Sequence, residues 1–172
     1  MLLALSDPRW NDLEGSYGGT GDIVSWLTGA YSKGLTDERL GDLINEVQHQ
    51  GDTSTAMYAV APHLIRLAEN QETERKLAFL THAGIIYADS TGPRAVPCPK
   101  FLREEFEAYA LRGAHALAPL LAQTLDFEKF KWAVAALAGF GGHHAFGKLL
   151  SGLDYYKGRF HHTSLGEPFP DT

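Results

Sequence analysis

Apolar residues recur at helical spacing over most of this chain. Ile23, Trp26, Leu27 and Tyr31 fall at intervals of three, one and four, which places them on one face of a short helix over 22–31. The glycine-rich run 15–21 ahead of it opposes both helix and strand, and Thr20 is placed to cap the helix. Thr36 reads as the N-cap of a second helix, with Glu38 in its first turn, Leu40, Leu43, Ile44 and Val47 on one face, and Gly51 at its end. Thr53 or Ser54 then caps a third, whose wide apolar face runs from Met57 to Ala68 and in which Pro62 predicts a kink or a later start. A fourth occupies 72–88, acidic at its beginning, with Leu77, Leu80, Ala83, Ile86 and Tyr87 inward.

Three prolines and a glycine between Ser90 and Pro99 mark the strongest break, predicted as a surface loop between two helical halves, 1–90 and 99–152. Helical pattern resumes in a charged segment over 101–109, an alanine- and leucine-rich one over 111–125, a helix from Asp126 to Phe140 closed by Gly141 and Gly142, and a short helix over 143–150. The tail, 153–172, carries glycine, histidine, proline and tyrosine without a helical period. It is expected to be irregular and to cap the apolar face of the last helices, with Tyr155, Tyr156 and Phe160 either folded back or forming a contact patch.

An internal similarity lies in this pattern. Tyr58-Ala59-Val60-Ala61-Pro62-His63-Leu64 resembles His115-Ala116-Leu117-Ala118-Pro119-Leu120-Leu121, 57 residues further on. Each is followed by a charged opening and a helix rich in alanine and leucine. The offset exceeds the roughly 40 to 47 residues of a HEAT-type repeat, so the loop at 90–99 counts as an insertion. The fold class expected is all-α: one domain, built as a short α-solenoid of HEAT-like antiparallel helical hairpins with an irregular C-terminal cap.

The segment Gly15-Ser16-Tyr17-Gly18, then Asp22-Ile23, then Ile44-Asn45-Glu46-Val47-Gln48-His49-Gln50-Gly51, then Ala59-Val60-Ala61-Pro62-His63-Leu64 resembles a family of small bacterial HEAT-like repeat proteins of uncharacterised function. The resemblance covers about the first seventy residues. Its His-Gln-Gly followed by Ala-x-Pro-x-Leu is the most specific part. It implies a protein partner, of the kind met in toxin–immunity loci.

Composition narrows the function classes. At 172 residues, 44% hydrophobic and 21% charged, the chain has enough apolar material for one cored domain. Fifteen basic against twenty-one acidic residues leave a net charge of -6, with no basic stripe to displace counterions from a phosphate backbone, so nucleic acid is not an expected partner. No apolar run approaches the roughly 18 residues of a membrane span. The single cysteine, Cys98, forbids an internal disulfide, and the N-terminus lacks a signal-peptide pattern, so the expected compartment is the cytoplasm.

Candidate chemistry is sparse. The glycine run lacks the Gly-Lys-Ser/Thr ending of a phosphate loop and the strand that precedes one. His143-His144 and His161-His162 are adjacent pairs, which point apart on a helix, and His-Glu-x-x-His is absent, so no metal site is expected. Cys98 lies between two prolines with nothing local to activate it, and Glu104, Glu105 and Glu107 read as a solvated face. Trp10, Trp26, Trp132, Phe101, Phe106, Phe127 and Phe130 are expected in the core. His49, Gln50 and His63 remain as candidate binding residues, with a helix C-terminus as the plain account of the first two. No cofactor is expected. The function expected is a non-catalytic protein-binding module, of which an immunity-type inhibitor of a bacterial toxin is one form. The alternatives are a small-ligand protein or enzyme with a polar cleft near His49, Gln50 and His63, and a homo-oligomeric structural protein, which would need a large exposed apolar patch.

Overall fold

A computed structural model of the protein describes residues 2–49, 52–123, 126–156 and 159–162. Among these, seven α-helices carry the fold: α1 (Gly21–Lys33), α2 (Asp37–Val47), α3 (Met57–Ala68), α4 (Thr73–Asp89), α5 (Arg103–Leu117), α6 (Phe127–Phe140) and α7 (His144–Ser151). Short antiparallel pairs are formed by β1 (Gln48–His49) with β2 (Asp52–Thr53) and by β3 (Leu153–Tyr156) with β4 (Arg159–His162). No helix among the described residues is long and apolar enough to cross a membrane.

The helix starts follow local chemistry. Thr36 accepts from the Arg39 backbone N–H (3.2 Å) and Asp126 from that of Lys129 (2.8 Å), each satisfying a donor that the first helical turn leaves open. Other expected caps do different work. The Thr20 hydroxyl donates to the Trp10 carbonyl (2.7 Å), tying α1 to the N-terminal segment. Thr53 lies in β2, and the Ser54 hydroxyl donates back to the Val47 carbonyl (3.1 Å), closing α2 rather than opening α3. Pro62 neither breaks nor delays α3, which begins at Met57 and carries the proline in its second turn.

Two further expectations are corrected. The segments over 101–109 and 111–125 form one helix, α5, followed by a 3-10 helix at Ala118–Ala122. Nothing at Ala110 or Leu111 interrupts the backbone ladder, whereas Pro119 removes a donor and the chain tightens there. The start of the tail is a β-hairpin, not irregular chain: Leu153 pairs with His162 and Tyr156 with Arg159, in keeping with the strand preference of a segment rich in tyrosine and phenylalanine. The loop at 90–99 is strapped to the first half. Tyr58 donates to the Val96 carbonyl (2.6 Å), Val96 N–H to the Thr53 hydroxyl (3.0 Å), and that hydroxyl to the Arg94 carbonyl (3.2 Å).

Helices α2, α4 and α6 run in one direction. At their N-terminal ends Arg75 of α4 pairs with Asp37 of α2 (3.7 Å), and Lys129 of α6 with Glu74 of α4 (2.7 Å). At the other end Gln48, just past α2, donates to Asp89, the last residue of α4 (2.7 Å). Helices α3 and α5 pack side by side behind α4, with Phe106 stacked on Tyr87 (ring centroids 4.0 Å) and edge-on to Tyr58 (4.9 Å). Between α4 and α6 the backbones almost touch: a Cβ on Gly84 would lie 2.5 Å from that of Ala136, and one on Gly139 would run into the Gly84 carbonyl. The two similar segments found in the sequence thus lead into the two helices that meet most closely. One continuous core runs from Leu3 through Leu27, Leu43, Leu64 and Leu80 to Phe140.

Candidate functional site

His63 is a core residue. Only 2% exposed on α3, it donates from Nε2 to the Leu3 carbonyl (3.0 Å), which leaves Nδ1 to accept the Tyr31 hydroxyl (2.9 Å). Its ring also faces Trp10 (centroids 6.0 Å). Burial pulls its pKa down to about 4, offset only in part by the bond to Leu3. Both ring nitrogens are occupied, and the side chain staples the N-terminal segment to α1 and α3.

His49 lies elsewhere, at the surface end of α2. Its Nδ1 is 2.6 Å from the Tyr17 hydroxyl and 2.9 Å from Asn45 Oδ1, while Asn45 Nδ2 donates to Tyr17 (3.3 Å). The same loop is held by Ser16 N–H on the Glu46 carbonyl and by the Gly15–Gly18 turn, in which Gly18 takes a φ of 126° open to glycine. This arrangement latches the glycine-rich loop onto α2. The partners of the His49 ring and those of the His63 ring have no residue in common. Gln50 and Gly51 lie outside the described residues.

A more substantial feature is a trough of about 850 Å³ laid across the parallel helices α2, α4 and α6. Its floor is a stripe of α4, Ala78, Thr81, His82 and Ile85, at the spacing of one helical face. Leu40 and Ile44 of α2 wall one side, and Trp132 of α6, 38% exposed, walls the other. Sequence reasoning placed Trp132 in the core; Phe101 and Phe130 are likewise exposed, at 38% and 46%, whereas Trp10 and Phe106 are buried as expected. Helix α6 spends its inner face on alanines and glycine at the contact with α4, which turns its aromatics outward. Burial lowers the pKa of His82, so its ring is held neutral at the floor.

Charge is concentrated at the N-terminal end of the trough. Asp37, Glu72, Glu74 and Glu128 line it beside Arg75 and Lys129, an excess of acid. The two cations are spent on Asp37 and Glu74, and Glu128 pairs with Lys131 (2.8 Å). Each acid also faces the positive end of its own helix dipole, which is why such residues are found in a first turn. At the opposite end Gln48 connects the trough to Asp89, 8% exposed, whose carboxylate also meets Lys148 (2.7 Å). Asp89, Arg94, His144 and Lys148 border a smaller cavity of about 220 Å³ there. Gly92 leaves room for the His144 ring, which donates from Nδ1 to the Ala88 carbonyl (2.7 Å).

No chemistry-bearing cluster emerges beside these. Among the described residues there is no group of three histidine, cysteine or acidic side chains fit to hold a metal ion. Burial pushes the Cys98 thiol up to about 11, far from the depressed values of reactive cysteines. Gln48, missed in favour of its neighbours His49 and Gln50, belongs to the same short motif and reaches across to another helix. Comparison with family models, with curated proteins and with solved structures finds no match to this chain.

Proposed function

We propose that this protein is a non-catalytic protein-binding module whose three successive hairpins, α1–α2, α3–α4 and α5–α6, stack in the HEAT-like manner. The parallel course of α2, α4 and α6 in one layer, with α3 and α5 side by side behind α4, supports the stacking. The observation that carries the binding role is the trough across that layer: an apolar floor and a half-exposed tryptophan left uncovered between three helices. Apolar surface of this kind, rimmed by charge, is where partners seat their anchor residues. An immunity-type inhibitor, as the resemblance in the N-terminal half implies, is one form such a module takes.

Site-specific photo-crosslinking in the cell tests the reading. A crosslinking residue at Ala78, on the trough floor, is expected to trap one protein in stoichiometric yield, and the same residue at Leu111, exposed on α5, is expected to trap none. Equal yields at both positions, or none at Ala78, would overturn it.

A further inference from the structure

The trough is elongated, and its shape and charge restrict what can lie in it. The α4 stripe from Glu74 to Ile85 is twelve residues, about 16 Å at 1.5 Å per step, and α2 with the following Gln48 lines it over a similar length from Asp37. The α2 wall runs parallel to the α4 floor, tied to it at both ends by Asp37–Arg75 and Gln48–Asp89, and α6 is joined to the floor by Lys129–Glu74. What is absent between α2 and α6 is therefore one more rod lying on α4. The polar groups of the floor are few, a threonine hydroxyl and a neutral histidine, so the surface offered is a strip for apolar side chains and not a ring of directional contacts fitted to a small molecule. Acid outweighs base at one end. Among the described residues Glu72 makes no ion pair, while the neighbouring cations are already engaged.

Resting on the reading of the trough as a binding site, we infer that its occupant is an amphipathic helix of the partner protein, about three to four turns long, with its apolar face on Ala78, Ile85 and Trp132 and a lysine or arginine over Glu72 and Glu74. A helix laid in a groove presents anchors at i, i+3, i+4 and i+7, the spacing that the α4 stripe itself displays. The basic residue answers the surplus acid at the rim, and contributes to partner choice and capture rate more than to burial.

Three peptides of equal apolar content and about 15 residues test this with the full-length protein. One is helix-forming with lysines on its polar face, one helix-forming with glutamates, and one has the lysines but two central prolines. Binding is read by Trp132 fluorescence against a Trp132→Phe control and by calorimetry. The lysine helix is expected to bind at 1:1 at least tenfold more tightly than either of the others. The double variant Glu72→Lys, Glu74→Lys is expected to reverse the preference between the lysine and glutamate helices, and Ile85→Asp to abolish binding of both. Should the three peptides bind alike yet all fail with Ile85→Asp, the trough stands as a binding site and the helical, basic occupant is overturned. Should Ile85→Asp and Ala78→Lys, each shown by circular dichroism to be folded, leave binding unchanged, the trough reading falls with it.

Discussion

His63 shows how one side chain can be sought for chemistry and serve the fold. An imidazole with both nitrogens bonded and 2% of its surface exposed has no capacity left for a ligand, but it makes the protein acid-sensitive. Its folded pKa is about 4 against an ordinary 6.5, so between those values the unfolded chain takes up a proton that the native state refuses. Stability from this residue is complete above about pH 6.5 and is lost as pH falls toward 4, by about 2 kcal/mol at pH 5 and about 3 kcal/mol in full. Urea midpoints measured at pH 7, 6, 5 and 4.5 should fall in that order. A non-titrating His63→Gln variant, less stable at pH 7, should show a distinctly shallower fall, and an equal slope in both proteins would contradict this account.

Between elements, the decisive contact is the one between α4 and α6. Gly84 and Gly139 permit an approach that no side chain would allow, and Ala133 and Ala136 complete the seam. In an isolated helix Gly139→Ala would gain about 1 kcal/mol from propensity. Here the added methyl meets backbone, which cannot rotate aside, so overpacking dominates and a net loss of about 1–3 kcal/mol is expected. For a chain of this length that is a fall of several degrees in Tm. Gly29→Ala on α1, where a Cβ meets nothing within 4 Å, should leave Tm unchanged or raise it. Similar shifts for the two variants would argue against the close seam.

At the scale of the molecule, the core that joins Leu3 to Phe140 and the strapped loop at 90–99 make the two halves interdependent. Helix α4 buries Leu77, Ala83, Ile86 and Tyr87, and its neighbours α5 and α6 come from beyond residue 100. We expect one cooperative transition, with calorimetric and van't Hoff enthalpies in agreement, and a fragment 1–90 that does not fold alone. Two resolved transitions, or a dispersed NMR spectrum from the fragment, would show the halves to be autonomous.

Much of this is legible in the sequence. Helical periodicity located α1 through α4, α6 and α7 because an amphipathic helix must repeat its apolar residues every three or four positions, and Thr36 and Asp126 marked two helix starts because few side chains satisfy an open first turn. The weak repeat pointed to the hairpins that place α4 beside α6. Periodicity states which face is apolar but not whether a neighbour covers it. Trp132 and Ile85 carry the same pattern as Phe79 and Leu80, and only the placing of α2, α4 and α6 around the trough leaves the first two partly exposed. Nor could the order of residues tell that His49 and His63 attend to different neighbours, or that Gln48 reaches Asp89, because those pairings join positions 32 to 60 residues apart. Local chemistry along the chain determined the helices; the packing of one helix on another decided which surfaces remain available for function.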